Sequence, residues 1–302
     1  LYQGRMAADM GYADEAARSW AQIPPNSALY GPRLALEAEQ YLHLGEYAAA
    51  ESGYRAALDA GLPATWQKTA YLRLAALRAS SDLTGALADL NAARAVSRGL
   101  RLAEQPFIMP LMPIARPGEA QIDAALVADD DVRAQVLGQL YLDAGLLPLA
   151  EAQFAAARAT MGEAADAYAA YVRWIGGDRG AGIARLTALA EAMPGDPRPR
   201  TLLALAYLSE YDLTTARSEI DAARTIAPDD PDTFVALGRW YATQRDYLAA
   251  ASAYAQARRN APPAERGVYA LLQARYHLDT TVQECEAGLP AADEAAAFLP
   301  DD

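Results

Sequence analysis

Pro231–Ala264 reads PDTFVALGRWYATQRDYLAAASAYAQARRNAPPA, two runs of good helix formers around a polar break at Gln244-Arg245-Asp246. In the first run Phe234, Leu237, Gly238 and Tyr241 are spaced by three and four residues or adjoin, which puts them on one helix face. Tyr247, Ala250, Tyr254 and Ala257 do the same in the second run, and Pro262 ends it. A turn this short makes the two helices antiparallel.

The unit recurs. Pro194, Pro228 and Pro262 stand 34 residues apart, and the same interval relates Ala204 to Gly238, Tyr207 to Tyr241, Ala216 to Ala250 and Ala223 to Ala257. A second good copy carries Ala134, Leu137-Gly138, Tyr141, Gly145, Ala150, Phe154 and Ala157. A third has Leu203-Ala204, Tyr207, Leu213, Ala216, Ile220, Ala223 and Pro228; a fourth has Ala38, Tyr41, Gly45, Tyr47, Ala50, Tyr54 and Ala57. Small residues such as Gly138, Ala204 and Gly238 mark where the first helix approaches the second closely. Tyr141, Tyr207 and Tyr241 fill the wedge beside them.

In period and in side chains this pattern resembles the tetratricopeptide repeat family: a large apolar residue, Leu-Gly, Tyr, then Ala, an aromatic, Ala and Pro. The resemblance implies an all-α fold, a right-handed α-solenoid of antiparallel helix pairs. About eight pairs fit the chain, one of them degenerate.

Weaker copies complete the array. Residues 67–98 keep Leu74, Leu77, Leu83, Ala86, Leu90 and Ala93. Residues 163–196 keep Ala170, Gly182, Leu186 and Pro194, with the first helix expected to be cut short by Gly176-Gly177. Residues 264–300 form a last pair with a longer turn or helix near Asp279. Residues 99–128 do not fit, because Pro106, Pro110, Pro113 and Pro117 forbid a regular helix. The expectation there is an irregular limb at 104–117 and a short helix at 118–127, with Phe107, Ile108, Met109, Leu111, Met112 and Ile114 packed as a plug. The division that follows is 1–98, helix pairs; 99–128, the irregular pair; and 129–302, helix pairs. Both ends read as cut from a longer array, so signals for localisation can lie elsewhere. The chain itself points to the cytoplasm, with a periplasmic or membrane-anchored full-length protein left open.

Composition narrows function. The net charge of -13 opposes phosphate backbones and anionic bilayers, so neither nucleic acid nor direct membrane contact is expected. Cys285 is the single cysteine, and His43 and His277 are the two histidines, far apart, so no metal site and no cofactor is expected. No phosphate-binding or catalytic motif is present; Gly176-Gly177-Asp178-Arg179-Gly180 lacks the Lys-Ser/Thr and the preceding strand. Asp129-Asp130-Asp131 and Asp229-Asp230 sit just before helix starts, where they cap free N–H groups. The chain is not expected to be an enzyme.

The resemblance implies a protein–protein interaction scaffold that binds a peptide or partner helix on its concave face, which the first helices line. Sequence phase points inward at Gln135, Gln139 and Leu142, at Tyr171 and Trp174, at Leu205 and Leu208, and at Arg239, Ala242 and Thr243. Aromatic and arginine side chains are the usual anchors of an interface. Tyr171 and Trp174 have an equally good reading as packing between adjacent first helices. Some family members clamp an acidic chaperone tail with Lys, Asn and Arg at inward places. This chain has Ala35, Glu39, Gln135, Gln139, Thr201, Leu205, Val235 and Arg239 there, of which only Arg239 suits a carboxylate. The alternative is a structural arm of a larger secretion or exopolysaccharide-export assembly.

Overall fold

The computed structural model describes residues 1–99, 119–262, 266–277 and 285–298. Among them are seventeen helices and no strand. The chain divides into two compact units, Leu1–Ala150 and Glu151–Asp302.

In the first unit α1 (Tyr2–Asp9) packs on α2 (Ala13–Ala21), α3 (Tyr30–His43) on α4 (Tyr47–Ala60), and α5 (Ala64–Arg78) on α6 (Leu83–Gly99). The next helices are α7 (Glu119–Val127) and α8 (Asp130–Asp143), which touch each other. The helix α7 matches the short helix expected at 118–127, whereas the irregular limb and its apolar plug lie outside the described residues. The helix α9 (Leu147–Met161) follows α8 and carries the boundary between the units.

In the second unit the packed pairs are α10 (Glu163–Ile175) with α11 (Arg179–Ala192), and α12 (Arg198–Ser209) with α13 (Leu213–Ile226). They are followed by α14 (Pro231–Thr243) with α15 (Tyr247–Asn260), and α16 (Arg266–His277) with α17 (Cys285–Phe298). First helices also touch the next first helix, α10 on α12 and α12 on α14. The first helices α10, α12 and α14 thus lie side by side.

The turns show why the pairs form. Six of them place a residue at positive φ directly after the first helix: Gly11, Gly45, Gly145, Gly177, Tyr211 and Arg245. The last three are 34 residues apart, and so are the first two. In each turn the positive-φ residue donates its N–H to the carbonyl three back, as Arg245 does to Ala242 (2.9 Å). The following residue donates to the carbonyl five back, as Asp246 does to Tyr241 (3.0 Å). This closes the open carbonyls of the first helix. That same following residue then starts the second helix. Asp178, Asp212 and Asp246 each accept a hydrogen bond from the N–H three residues on, at Ala181, Thr215 and Ala249. Three residues therefore end one helix, reverse the chain and cap the next.

Gly176-Gly177 belongs to this scheme and does not shorten α10. That helix has 13 residues, as α14 has, and it stops at the same phase of the unit. The glycine pair is the ordinary turn; Tyr211 and Arg245 hold the equivalent position elsewhere. Acid capping is made at Asp230, whose side chain accepts from the Thr233 N–H at 2.8 Å. Asp129 occupies the cap position of α8 without a side-chain bond.

Tyr211 and Arg245 are strained where glycine would be at ease. Tyr211 is 79% exposed, so its ring contributes little packing. Tyr211→Gly is expected to raise stability by about 0.5–1 kcal/mol, since the relief of a left-handed side chain exceeds the added chain entropy. A lower urea midpoint than the parent would refute this.

The core follows the repeat. Ala50, Ala216 and Ala250 are fully enclosed, as are Tyr54, Phe154 and Tyr254 near the middle of the second helices. A Cβ on Gly238 would come within 2.9 Å of the Tyr254 ring, so the glycine sets how closely α14 approaches α15. Tyr141 fills its wedge completely and donates its hydroxyl to the Ala76 carbonyl at 3.0 Å. Tyr207 and Tyr241 are half-buried in theirs.

Candidate partner-binding face

Gln135 and Gln139 stand in the first unit, on α8. Gln135 is half-buried; Gln139 is exposed and donates its Nε2 to Asp143 Oδ1 at 2.8 Å. Leu142, also on α8, is half-buried, and the other seven residues expected to face inward stand in the second unit. Tyr171 and Trp174, on α10, are stacked on each other with centroids 5.6 Å apart and planes 12° off parallel. They are only 8% and 7% exposed. Trp174 Nε1 donates to Glu210 Oε1 at 3.1 Å, a bond from α10 to the end of α12. The two rings therefore form a floor between adjacent first helices.

On the next two first helices the surface is mixed. On α12 Leu208 is buried and Leu205 half-buried, while Ser209 is exposed and returns its hydroxyl to the Leu205 carbonyl at 3.0 Å. On α14 Thr243 does the same to the Arg239 carbonyl at 2.8 Å, and both residues are exposed. Arg239, Thr243, Ser209 and part of Leu205 are thus what a partner could touch; Tyr171, Trp174 and Leu208 shape the ground beneath.

One cluster in the first unit, and the residues at its equivalent positions in the second, escaped the sequence reading. In the first unit Glu39 on α3, Tyr54 on α4 and Arg73 on α5 meet in the interior. Arg73 Nε and one Nη donate to the two carboxylate oxygens of Glu39 at 3.0 and 3.3 Å, and the Tyr54 hydroxyl donates to Glu39 Oε1. All three are buried, Arg73 to 1% exposure. Burial pushes the Tyr54 hydroxyl well above its ordinary pKa, and the Glu39 carboxylate raises it further. For Arg73 burial works against the charge, but Glu39 and Tyr54 outweigh it and the pKa ends raised. The signal was present in the 34-residue spacing of opposite charges at one inward position.

In the second unit the equivalent residues are Arg239, Tyr254 and Gln273, each 200 positions further along. Tyr254 is enclosed, with its ring against Gly238 and stacked on Tyr276 at 5.4 Å. Tyr276 in turn stacks on Tyr247 at 5.8 Å and lies beneath the Arg275 guanidinium at 6.0 Å. Gln273 is 8% exposed and its Oε1 has no hydrogen-bond partner. Burial drives the Tyr254 hydroxyl far up, Tyr276 adds to this, and Arg239 and Arg275 oppose it.

Nothing else in the described residues suggests chemistry. Among the described residues no group of three or more His, Cys, Asp or Glu side chains is placed to hold a metal, and no helix is long and apolar enough to cross a membrane. His43 Nδ1 donates to the Glu39 carbonyl at 2.8 Å, a helix-internal bond.

Helix pairs in series and turns repeating at 34 residues settle the architecture. The fold is that of a tetratricopeptide-type helix array. Solved structures similar to it share low sequence identity with the chain. The Cut9–Hcn1 hetero-tetramer of the APC/C is similar at 12% identity, over 99% of this chain and 74% of that one, with a TM-score of 0.44. A tetratricopeptide repeat protein from Parabacteroides merdae is similar at 17% identity, over 91% and 96%, with a TM-score of 0.39. The C-terminal part of a TPR repeat-containing protein from Cytophaga hutchinsonii is similar at 14% identity, over 88% and 95%, with a TM-score of 0.38. No protein-family model matches the chain, and no curated protein matches it.

Proposed function

We propose that the chain is a protein–protein interaction scaffold that takes a peptide or a partner helix on the face formed by its first helices. The observation that carries this reading is the face of the second unit, where exposed Arg239, Thr243 and Ser209 stand beside half-buried Leu205. One repeat before Leu205, on α10, stands the stacked, buried pair Tyr171 and Trp174. An exposed arginine next to apolar ground is what interface anchors need, and a rigid aromatic floor keeps its geometry fixed before binding. Within the first unit Gln139 is the exposed member of the same proposed set. The division 1–98, 99–128 and 129–302 remains the proposed organisation of the chain.

A photo-crosslinking residue at Thr243 tests the reading against one at Ser252, which is exposed on the second helix α15. In cells of the source organism, discrete adducts are expected from Thr243 and from Leu205, and none from Ser252. Adducts from Ser252 alone would move the binding face to the second helices and overturn the proposal.

A further inference from the structure

Successive helix pairs meet through one recurring interface, and its two halves stand exposed at α1 and at α17. The first-helix half is located by the turn residues at positive φ. Tyr2 stands nine residues before Gly11, as Leu36 stands before Gly45 and Ala236 before Arg245. Leu36 shares an apolar cluster with Ala16 and Trp20 of the preceding pair, and Ala236 shares one with Ile220. Met6 stands five residues before Gly11, as Trp240 does before Arg245. Trp240 donates its indole N–H to the Leu213 carbonyl at 2.9 Å, and the Arg217 guanidinium lies 4.9 Å over its ring. Both positions of a first helix therefore belong to the second helix of the pair before it. On α1 they are 72% and 63% exposed.

The second-helix half is located by laying α17 on α15, Cys285 on Tyr247. Gly288, Ala291 and Ala295 then fall on Ala250, Ala253 and Ala257, and all six are buried. Leu289 falls on Ala251, which is enclosed and stands one repeat after Arg217, the residue over Trp240. Ala292 falls on Tyr254, which stacks on Tyr276 of α16 and is the counterpart of Trp20. In α17 Leu289 is 54% exposed and Ala292 half-buried.

We infer that α1 is a docking face for α17 of a second copy of this chain, the two copies joining head to tail. The contacts between pairs within the chain give the register. Met6 meets Leu289 as Trp240 meets Arg217, and Tyr2 meets Ala292 as Leu36 meets Trp20. Both contacts are apolar. In the second a large ring meets a methyl group, which fills the face without overpacking, as Ala236 beside Ile220 does with the sizes reversed. A second copy is the occupant because this chain carries both halves of the same interface. The contact is heterologous, so a joined pair keeps one half of each kind free and further copies add to it. With a net charge of -13 on every copy, mutual repulsion weakens the contact at low salt and screening strengthens it. None of these four residues belongs to the proposed partner set, so the two readings fail separately.

Sedimentation of the full chain over a range of concentrations tests the inference. Mean mass is expected to rise with concentration, and to rise further at high salt. Met6→Asp and Leu289→Asp, at exposed positions and with helical content unchanged by circular dichroism, are each expected to hold the chain at monomer mass. Mixed in equal amounts, the two variants are expected to form dimers and stop there. The first keeps a sound α17 face and the second a sound α1 face, and their one contact leaves only damaged faces open. Monomer mass for the parent at every concentration and salt would overturn the inference, as would self-association that both variants retain. Parent dimers that Met6→Asp abolishes and mixing does not restore would show α1 pairing with α1, and would overturn it as well.

Discussion

Arg73→Ala is expected to destabilise the first unit by about 3–5 kcal/mol, because it leaves the Glu39 carboxylate buried with one hydroxyl as its remaining side-chain partner. Removing a charge from an enclosed pair costs far more than removing the pair. Hence the triple exchange Glu39→Leu, Tyr54→Phe and Arg73→Met, which deletes charge and hydroxyl together while keeping volume, is expected to lose much less. Hydrogen exchange read on peptides from α3, α4 and α5 separates the outcomes: protection falls steeply in Arg73→Ala and largely survives in the triple variant. A single variant no less protected than the parent would show that the pair does not carry the unit. The half-buried Arg33–Glu37 pair, one helical turn apart and at 2.8 Å within α3, offers the contrast. Its loss is expected to cost less than about 1 kcal/mol.

Gly182→Val is expected to destabilise the second unit by about 3 kcal/mol or more through overpacking. A Cβ at this position would stand 2.5 Å from Trp174 Cβ and 2.9 Å from the Ala170 carbonyl oxygen. Those atoms belong to or adjoin the α10 backbone and cannot swing away, so α10 and α11 must separate. The stacked pair of Tyr171 and Trp174 loses its support with them. A lower thermal midpoint and a red-shifted Trp174 emission are the expected readouts. Gly180→Ala is the control, since a Cβ at Gly180 meets nothing within 4 Å. It is expected to change stability by less than about 0.5 kcal/mol. Equal effects of the two substitutions would contradict the close approach at Gly182.

The helix pairs were legible in the sequence because their determinants are local or strictly periodic. Proline stops at 34-residue intervals and small residues at Ala204, Gly238, Ala216 and Ala250 need no knowledge of distant contacts. The turn at Tyr211 and Arg245 was harder to read, since the backbone there adopts a glycine-like conformation without glycine. Its following aspartate cap enforces the reversal in place of a glycine signal. At Gly176-Gly177 the opposite happened: a conspicuous pair suggested a break where the structure has its ordinary turn.

Of the inward residues, phase located the helix face but not what covers it. Trp174 lies under the end of α12 because Glu210 reaches its indole, a contact across 36 residues that no helical period encodes. The Glu39–Arg73 pair was partly visible, as opposite charges one repeat apart. Its depth was not, because the enclosure depends on Tyr54 arriving from a second helix. Gln273 gave no sequence signal at all; a glutamine on a helix reads as a solvated residue until its oxygen is found enclosed.

The central claim is that residues 200 positions apart occupy equivalent places in the repeat, so that Arg239, Tyr254 and Gln273 stand where Glu39, Tyr54 and Arg73 stand in the first unit. A double-mutant cycle on Arg239→Glu and Gln273→Arg tests it most directly, because the double variant copies Glu39 and Arg73 into the second unit beside Tyr254. Each single variant is expected to lower stability, and the double variant to recover it, with a coupling of at least about 1 kcal/mol. Strictly additive effects of the two substitutions would contradict the account.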